Sequence, residues 1–260
     1  MSEIQIPEAW FKSKTIAPDW QLNEVNRTLS GRSLSYPSYA DLMADLFDGE
    51  DIWSHYSFDE NLVDDLHTSE PQAHITEETL DFVTETLGSP PKLVIEVGSF
   101  VGASARVFGD WVKPHNGTVL CVDTWCGDIN MWLHKRFSGL MAKADGNPKI
   151  FDHFINNIIR YDLCSHVVPI RLTSIAAARM LSALNYKVDV VYLDSAHEAG
   201  ETFMELALYW DLLRDGGVLI GDDYTVFPAV KNDVDTFCRC KGIDNLQLLE
   251  ETKDTYLIKK

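Results

Sequence analysis

The rhythm of hydrophobic and polar positions changes near residue 76. Residues 1–75 show no repeating strand–helix pattern. Trp10, Phe11 and Trp20 suit a segment that wraps onto a core, and Tyr39 to Phe47 sets Leu42, Met43, Leu46 and Phe47 at helical spacing. Asp48-Gly49-Glu50-Asp51 ends that pattern. This part reads as a mostly helical N-terminal cap: a lid, a dimerisation arm for a homo-oligomer, or a surface cover. Residues 76–87 predict a helix capped by Thr76, with Glu77 and Glu78 at its positive end and Gly88-Ser89-Pro90-Pro91 as its stop.

From there short apolar runs alternate with helical stretches. Strands are predicted at 93–97, 118–122, 166–170, 188–193 and 217–220, with helices at 103–111, 174–184, 199–213 and 228–238 between and after them. A long, mostly helical excursion covers 127–162, and its apolar content suits a lid. Two last strands, 246–250 and 255–258, are close enough to pair antiparallel. The pattern predicts an α/β fold, a mostly parallel sheet with helices on both faces. Residues 76–260 form that domain.

Composition narrows the partners. A net charge of −18 over 260 residues disfavours nucleic acid and anionic membranes, both of which need a basic face. Residues 1–75 alone hold 14 Asp and Glu against 4 Lys and Arg. No apolar run reaches the roughly 18 residues that suggest a membrane span. The first residues lack the basic start and apolar core of a signal peptide, so a cytoplasmic location is expected. Five cysteines, an odd number without zinc-finger spacing, read as free thiols.

The chemistry gathers at strand ends. Glu96-x-Gly98-x-x-x-Gly102 joins the first strand to a helix. Gly98 permits a sharp turn and a close ligand approach, and Gly102 permits tight helix packing. Phe100 stands where a dinucleotide fingerprint needs its second glycine, which argues against a nicotinamide cofactor. Asp123 ends the second strand, where an acid accepts from ribose hydroxyls. Asp194 ends the fourth strand, and Asp222-Asp223 the fifth. Three carboxylates brought together repel unless protonated or bound to a cation, and oxygen ligands at that density suit Mg²⁺. His197, three residues after Asp194, is a candidate general base, as is Asp194 itself.

The strand–E-x-G-x-x-x-G–helix motif resembles the S-adenosylmethionine (SAM) site of class I methyltransferases. The resemblance implies a Rossmann-like seven-stranded sheet in the order 3-2-1-4-5-7-6. It also implies that Glu96 lies near the methionine end of SAM, with Gly98 beneath it and Ser174 near the adenine. Asp123-Thr124-Trp125-Cys126-Gly127-Asp128 looks like a segment of a subgroup of these enzymes, which adds Thr124 to the expected cofactor site. Asp194-Ser195-Ala196-His197-Glu198 and Gly216 to Tyr224 resemble the metal-dependent small-molecule O-methyltransferases. These include the macrolide-sugar and cephalosporin-biosynthesis methyltransferase-like proteins. Carried over, Asp194, Asp222 and Asp223 are metal ligands. The implied reaction is Mg²⁺-dependent methylation of a hydroxyl on a small-molecule acceptor, a vicinal diol or catechol. The alternatives are metal-independent N- or O-methylation and a non-catalytic partner subunit of the same fold.

Overall fold

The computed structural model describes residues 37–62, 75–133, 146–195, 197–249 and 254–260, with residues 135, 138–139, 141 and 143–144. Most of the expected cap, including Trp10, Phe11 and Trp20, lies outside these residues, as does part of the expected lid.

One sheet organises the rest. Its strands are β1 (Leu93–Val97), β2 (Thr118–Asp123), β3 (Val167–Arg171), β4 (Val188–Leu193), β5 (Leu213–Gly221), β6 (Gln247–Leu248) and β7 (Tyr256–Lys259). Their spatial order is β3-β2-β1-β4-β5-β7-β6, as the sequence led us to expect. The first five run parallel, and β7 pairs antiparallel with both β5 and β6. A separate two-residue ladder joins Lys143–Ala144 to Asn147–Pro148.

The helices are α1 (Tyr39–Leu46), α2 (Glu77–Leu87), α3 (Ala103–Val112), α4 (Ile129–Leu133), α5 (Ile150–Arg160), α6 (Ser174–Ala183), α7 (Glu201–Leu212) and α8 (Pro228–Lys241). Side chains alternate across each strand, so the sheet feeds two cores. Leu93, Ile95 and Val97 face one core with α1, α6, α7 and α8; Val94 faces the other with α2, α3 and α5. Thr76 caps α2 by accepting from the Thr79 amide, and Gly88 ends it in the left-handed region. All five cysteines are free. No helix among the described residues is long and apolar enough to cross a membrane.

Two expectations need correction. The excursion is less helical than predicted, because among its described residues only α4 and α5 are α-helical and the short ladder separates them. β5 begins four residues earlier than expected. Arg214-Asp215-Gly216-Gly217 reads locally as a turn, yet tertiary contacts draw it into the strand. Arg214 pairs with the buried Asp189, and Gly216 and Gly217 exchange backbone hydrogen bonds with Lys260 at 3.0 and 2.9 Å. A register irregularity between Val188 and Val190 absorbs the mismatch. Asp189 also accepts from the Lys92 and Leu93 amides, which fixes the start of β1.

Candidate active site

The parallel ladder continues past the strand ends and sets the site residues in a row. Gly98 donates to the Val122 carbonyl at 2.9 Å, Asp194 to Val97 at 3.0 Å, and Asp222 to Leu193 at 3.0 Å. Asp123, Gly98, Asp194 and Asp222 therefore succeed one another along the carboxyl edge of β2, β1, β4 and β5. At ~4.8 Å per strand, the two ends of this row are about 14 Å apart. A cavity of about 480 Å³ opens over it, within the usual range for small-molecule sites.

The β2 end holds Asp123 in a fixed pose. Its two oxygens accept from the Phe100 and Trp125 amides at 2.8 and 2.7 Å. The Thr124 and Ser99 amides also bear on this carboxylate, whose roughly four acceptor sites suit ribose hydroxyls. Burial pushes this carboxyl up, and the backbone amides oppose that. Phe100 has φ of +46° and lines the cavity. The Asp123 bond and a 2.7 Å bond from Trp125 Nε1 to its carbonyl hold it there. Thr124 and Ser174 also line the cavity. Trp125 is core, packed 4.8 Å from both Phe151 and Phe154.

The glycine motif turns and packs as expected, but only Gly98 of Glu96, Gly98 and Gly102 lines the cavity. Gly98 has φ of +92°, and a Cβ there would lie 1.9 Å from the Asp194 carbonyl oxygen. It lines the cavity, but close approach to β4 is what first requires glycine. Gly102 is not among the cavity-lining residues; its missing Cβ faces Phe154 of α5 at 3.1 Å. Glu96 does not line the cavity either. The β pleat turns it to the face covered by α3, where it is fully buried and accepts from Cys121 Sγ at 3.3 Å. Its Oε1 makes no hydrogen bond among the described residues. Burial pushes its pKa up to about 7, with the Ser104, Ser99 and Cys121 side chains pulling it back. Glu96 and Gly102 thus support the turn from beneath.

At the other end, Asp194, His197 and Asp223 bring one ligand atom each within 4.8 Å of one another. His197 Nε2 lies 2.6 Å from Asp223 Oδ2, and its Nδ1 lies 4.0 Å from Asp128 Oδ2. The Asp223 hydrogen bond raises the imidazole pKa, against partial burial. Phe227 stacks on the ring at 4.3 Å. Asp194 accepts from the Tyr192 hydroxyl at 3.2 Å. Asp223 has φ of +64°, a conformation that Asp tolerates better than most residues. Asp222 lines the cavity but is not in the three-residue cluster; its Oδ1 accepts from the buried Thr255 hydroxyl at 3.2 Å. Of the three carboxylates expected as ligands, two converge with the histidine, and the third leans on Thr255, just before β7.

Sequence reasoning missed the supports. Glu205 is buried on α7 and accepts from Ser195 Oγ at 2.7 and 2.8 Å. Its position was readable, because residues 202, 205, 206 and 209 form one buried helical face. Asp254 accepts from the Thr225 and Val226 amides and tethers the loop after Asp223. Asp233 of α8 accepts from the Gly200 and Phe203 amides at the start of α7. Both tethers are long-range and leave no local pattern.

The charge of the cavity fits a cationic cofactor. Asp123, Asp128, Asp194, Asp222, Asp223, Glu201 and Glu205 line it, and no Lys or Arg does among the described residues. A pyrophosphate would meet only like charge there; a sulfonium and an ammonium meet the opposite charge. Together with the constrained Asp123 acceptor, this suits SAM.

Comparison with known proteins agrees. Residues 95–224, half of the chain, match the family model described as a methyltransferase domain. The O-methyltransferase NovP superposes with a TM-score of 0.53 at 18% identity, over 93% of this chain and 98% of NovP. CalS11, a TDP-rhamnose 3′-O-methyltransferase of calicheamicin biosynthesis, gives 0.52 at 13% identity, over 94% and 95% of the two chains. These two likenesses concern the fold. A search of curated proteins finds no match. On the family match, with its sheet and its cavity, the chain belongs to the methyltransferase-domain family and is a class I SAM-dependent methyltransferase.

Proposed function

We propose that this enzyme transfers the SAM methyl group to a hydroxyl oxygen of a small molecule, with a divalent cation held beside the acceptor. The observation that carries the reading is the convergence of Asp194, His197 and Asp223 in the donor's own cavity. Carboxylates suit Mg²⁺ and Mn²⁺. The names of NovP and CalS11 support oxygen as the acceptor atom. When bound, SAM supplies the methyl group and the cation supplies a Lewis acid that eases loss of the hydroxyl proton.

The chain's own residues do the rest. Asp123 and Thr124 hold the ribose end of the donor. Asp194 and Asp223 hold the cation, and Asp222, braced by Thr255, stands behind them. A neighbouring pair of hydroxyls, as in a vicinal diol or catechol, would suit chelation by such a cation. His197 lies in hydrogen-bond contact with Asp223, which raises the imidazole pKa. His197 and Asp194 are the two groups placed to take the hydroxyl proton. Positioning of the two reactants supplies much of the rate, about 7–11 kcal/mol in favourable cases.

Transfer of labelled methyl from SAM to a panel of catechols and sugar diols tests this. Label should enter at least one acceptor, stop on addition of EDTA and resume with Mg²⁺ or Mn²⁺. Undiminished transfer in EDTA would remove the cation from the reaction.

A further inference from the structure

Behind the carboxylates lies a second space of about 10 Å³, room for roughly one water-sized occupant. Asp194, Asp222, Asp223 and Glu205 line it, with Thr202 and Tyr256. Tyr256 comes from β7 and is fully buried. Its hydroxyl makes no hydrogen bond among the described residues. Gly221, its register partner on β5, makes way for it: a Cβ there would lie 2.1 Å from Tyr256 Cζ and 2.2 Å from its hydroxyl oxygen.

This arrangement is costly if its purpose is packing alone. A buried hydroxyl without a partner costs about 1–3 kcal/mol, and phenylalanine would fill the same volume without that cost. The hydroxyl instead adds a donor to a chamber walled by four carboxylates. The preceding residues of the same segment serve the same loop. Asp254 tethers Thr225 and Val226, and Thr255 donates to Asp222. Residues 254–256 thus form a buttress of which Tyr256 is the innermost member.

We propose that Tyr256 is a positioning residue of the cation site, its hydroxyl donating to a single occupant of this chamber and thereby fixing Asp222 and Glu205 behind the ligands. The proposal rests on the cation reading above. Groups that orient metal ligands from behind are worth about 10–100-fold in metal affinity.

Mn²⁺ titration of the full chain with bound S-adenosylhomocysteine (SAH), followed by the EPR signal of free Mn²⁺, tests it. Wild type should bind Mn²⁺. Tyr256→Phe should weaken that binding at least about tenfold while SAH affinity stays within about twofold. Its metal-free melting temperature should stay near that of wild type, since the ring that packs against Gly221 is kept. Mn²⁺ affinity within about twofold of wild type would overturn the role of Tyr256 and leave the cation reading intact. Absence of Mn²⁺ binding by wild type would overturn both. Should Tyr256→Phe fail to fold, a crystal structure of the wild type with Mn²⁺ and SAH serves instead: density for one occupant within hydrogen-bonding distance of the Tyr256 hydroxyl is expected, and an empty chamber would overturn the role of Tyr256.

Discussion

Glu96 is a carboxylate where a neutral side chain would be at less cost. Burial raises its pKa from 4.5 to about 7. The folded state therefore binds its proton more tightly than the unfolded chain. Its contribution to stability is complete below pH 4.5 and is lost as pH rises through about 7. Glu96→Gln, which stays neutral, should escape that loss. Between pH 4.5 and 8 the stability difference between wild type and Glu96→Gln should shift by up to roughly 3 kcal/mol in favour of the variant. Urea denaturation at the two pH values measures this, and parallel stabilities would contradict it. The same residue marks what the sequence could not tell. Asp123 and Gly98 were legible as cavity residues because the carboxyl edge of a parallel sheet faces the ligand, and Thr124 and Ser174 through the resemblance to class I methyltransferases; all four line the cavity. Glu96 sits two residues before Gly98, inside β1, and the pleat sends it under the sheet. Asp222 was legible as a neighbour of the site. Its lean toward Thr255 was not, since nothing near position 222 announces a partner just before the last strand.

At the level of elements, the site depends on β1 and β4 ending almost in contact. Gly98→Ala would drive a methyl group into the Asp194 carbonyl, at a positive φ. We expect a loss above about 3 kcal/mol, from overlap and backbone strain combined. Gly88→Ala provides the comparison: φ is also positive, but no atom lies within 4 Å of the added carbon. Its cost should stay near 1 kcal/mol. Thermal melts of the two variants check the ranking, and equal losses would contradict it. The strands were legible from apolar runs ended by Gly and Asp, and their order from the resemblance to class I methyltransferases. The early start of β5 was not, because Arg214-Asp215-Gly216-Gly217 has turn composition and is extended by Asp189 and Lys260 from elsewhere in the chain. α7 was legible as a helix. The burial of Glu205 within it follows from spacing, though charge alone argues for the surface.

Across the whole molecule, a surplus of acid runs from the surface into the cavity. The chain carries −18, and the described cavity lining holds seven carboxylates with no Lys or Arg. That surplus suits a sulfonium cofactor. On the function proposed above, the cavity is divided: Asp123 would serve the donor at β2, and Asp194, His197 and Asp223 would serve the acceptor beyond β4. This division is the central claim, and calorimetric titration with SAH tests it most directly. Wild type should bind one SAH. Asp123→Asn should weaken that binding at least about tenfold, equivalent to about 1.4 kcal/mol or more, because a charged acceptor is lost. Asp223→Asn should stay within about twofold of wild type. Unchanged affinity in Asp123→Asn, or equal loss in both variants, would contradict a cavity divided in this way.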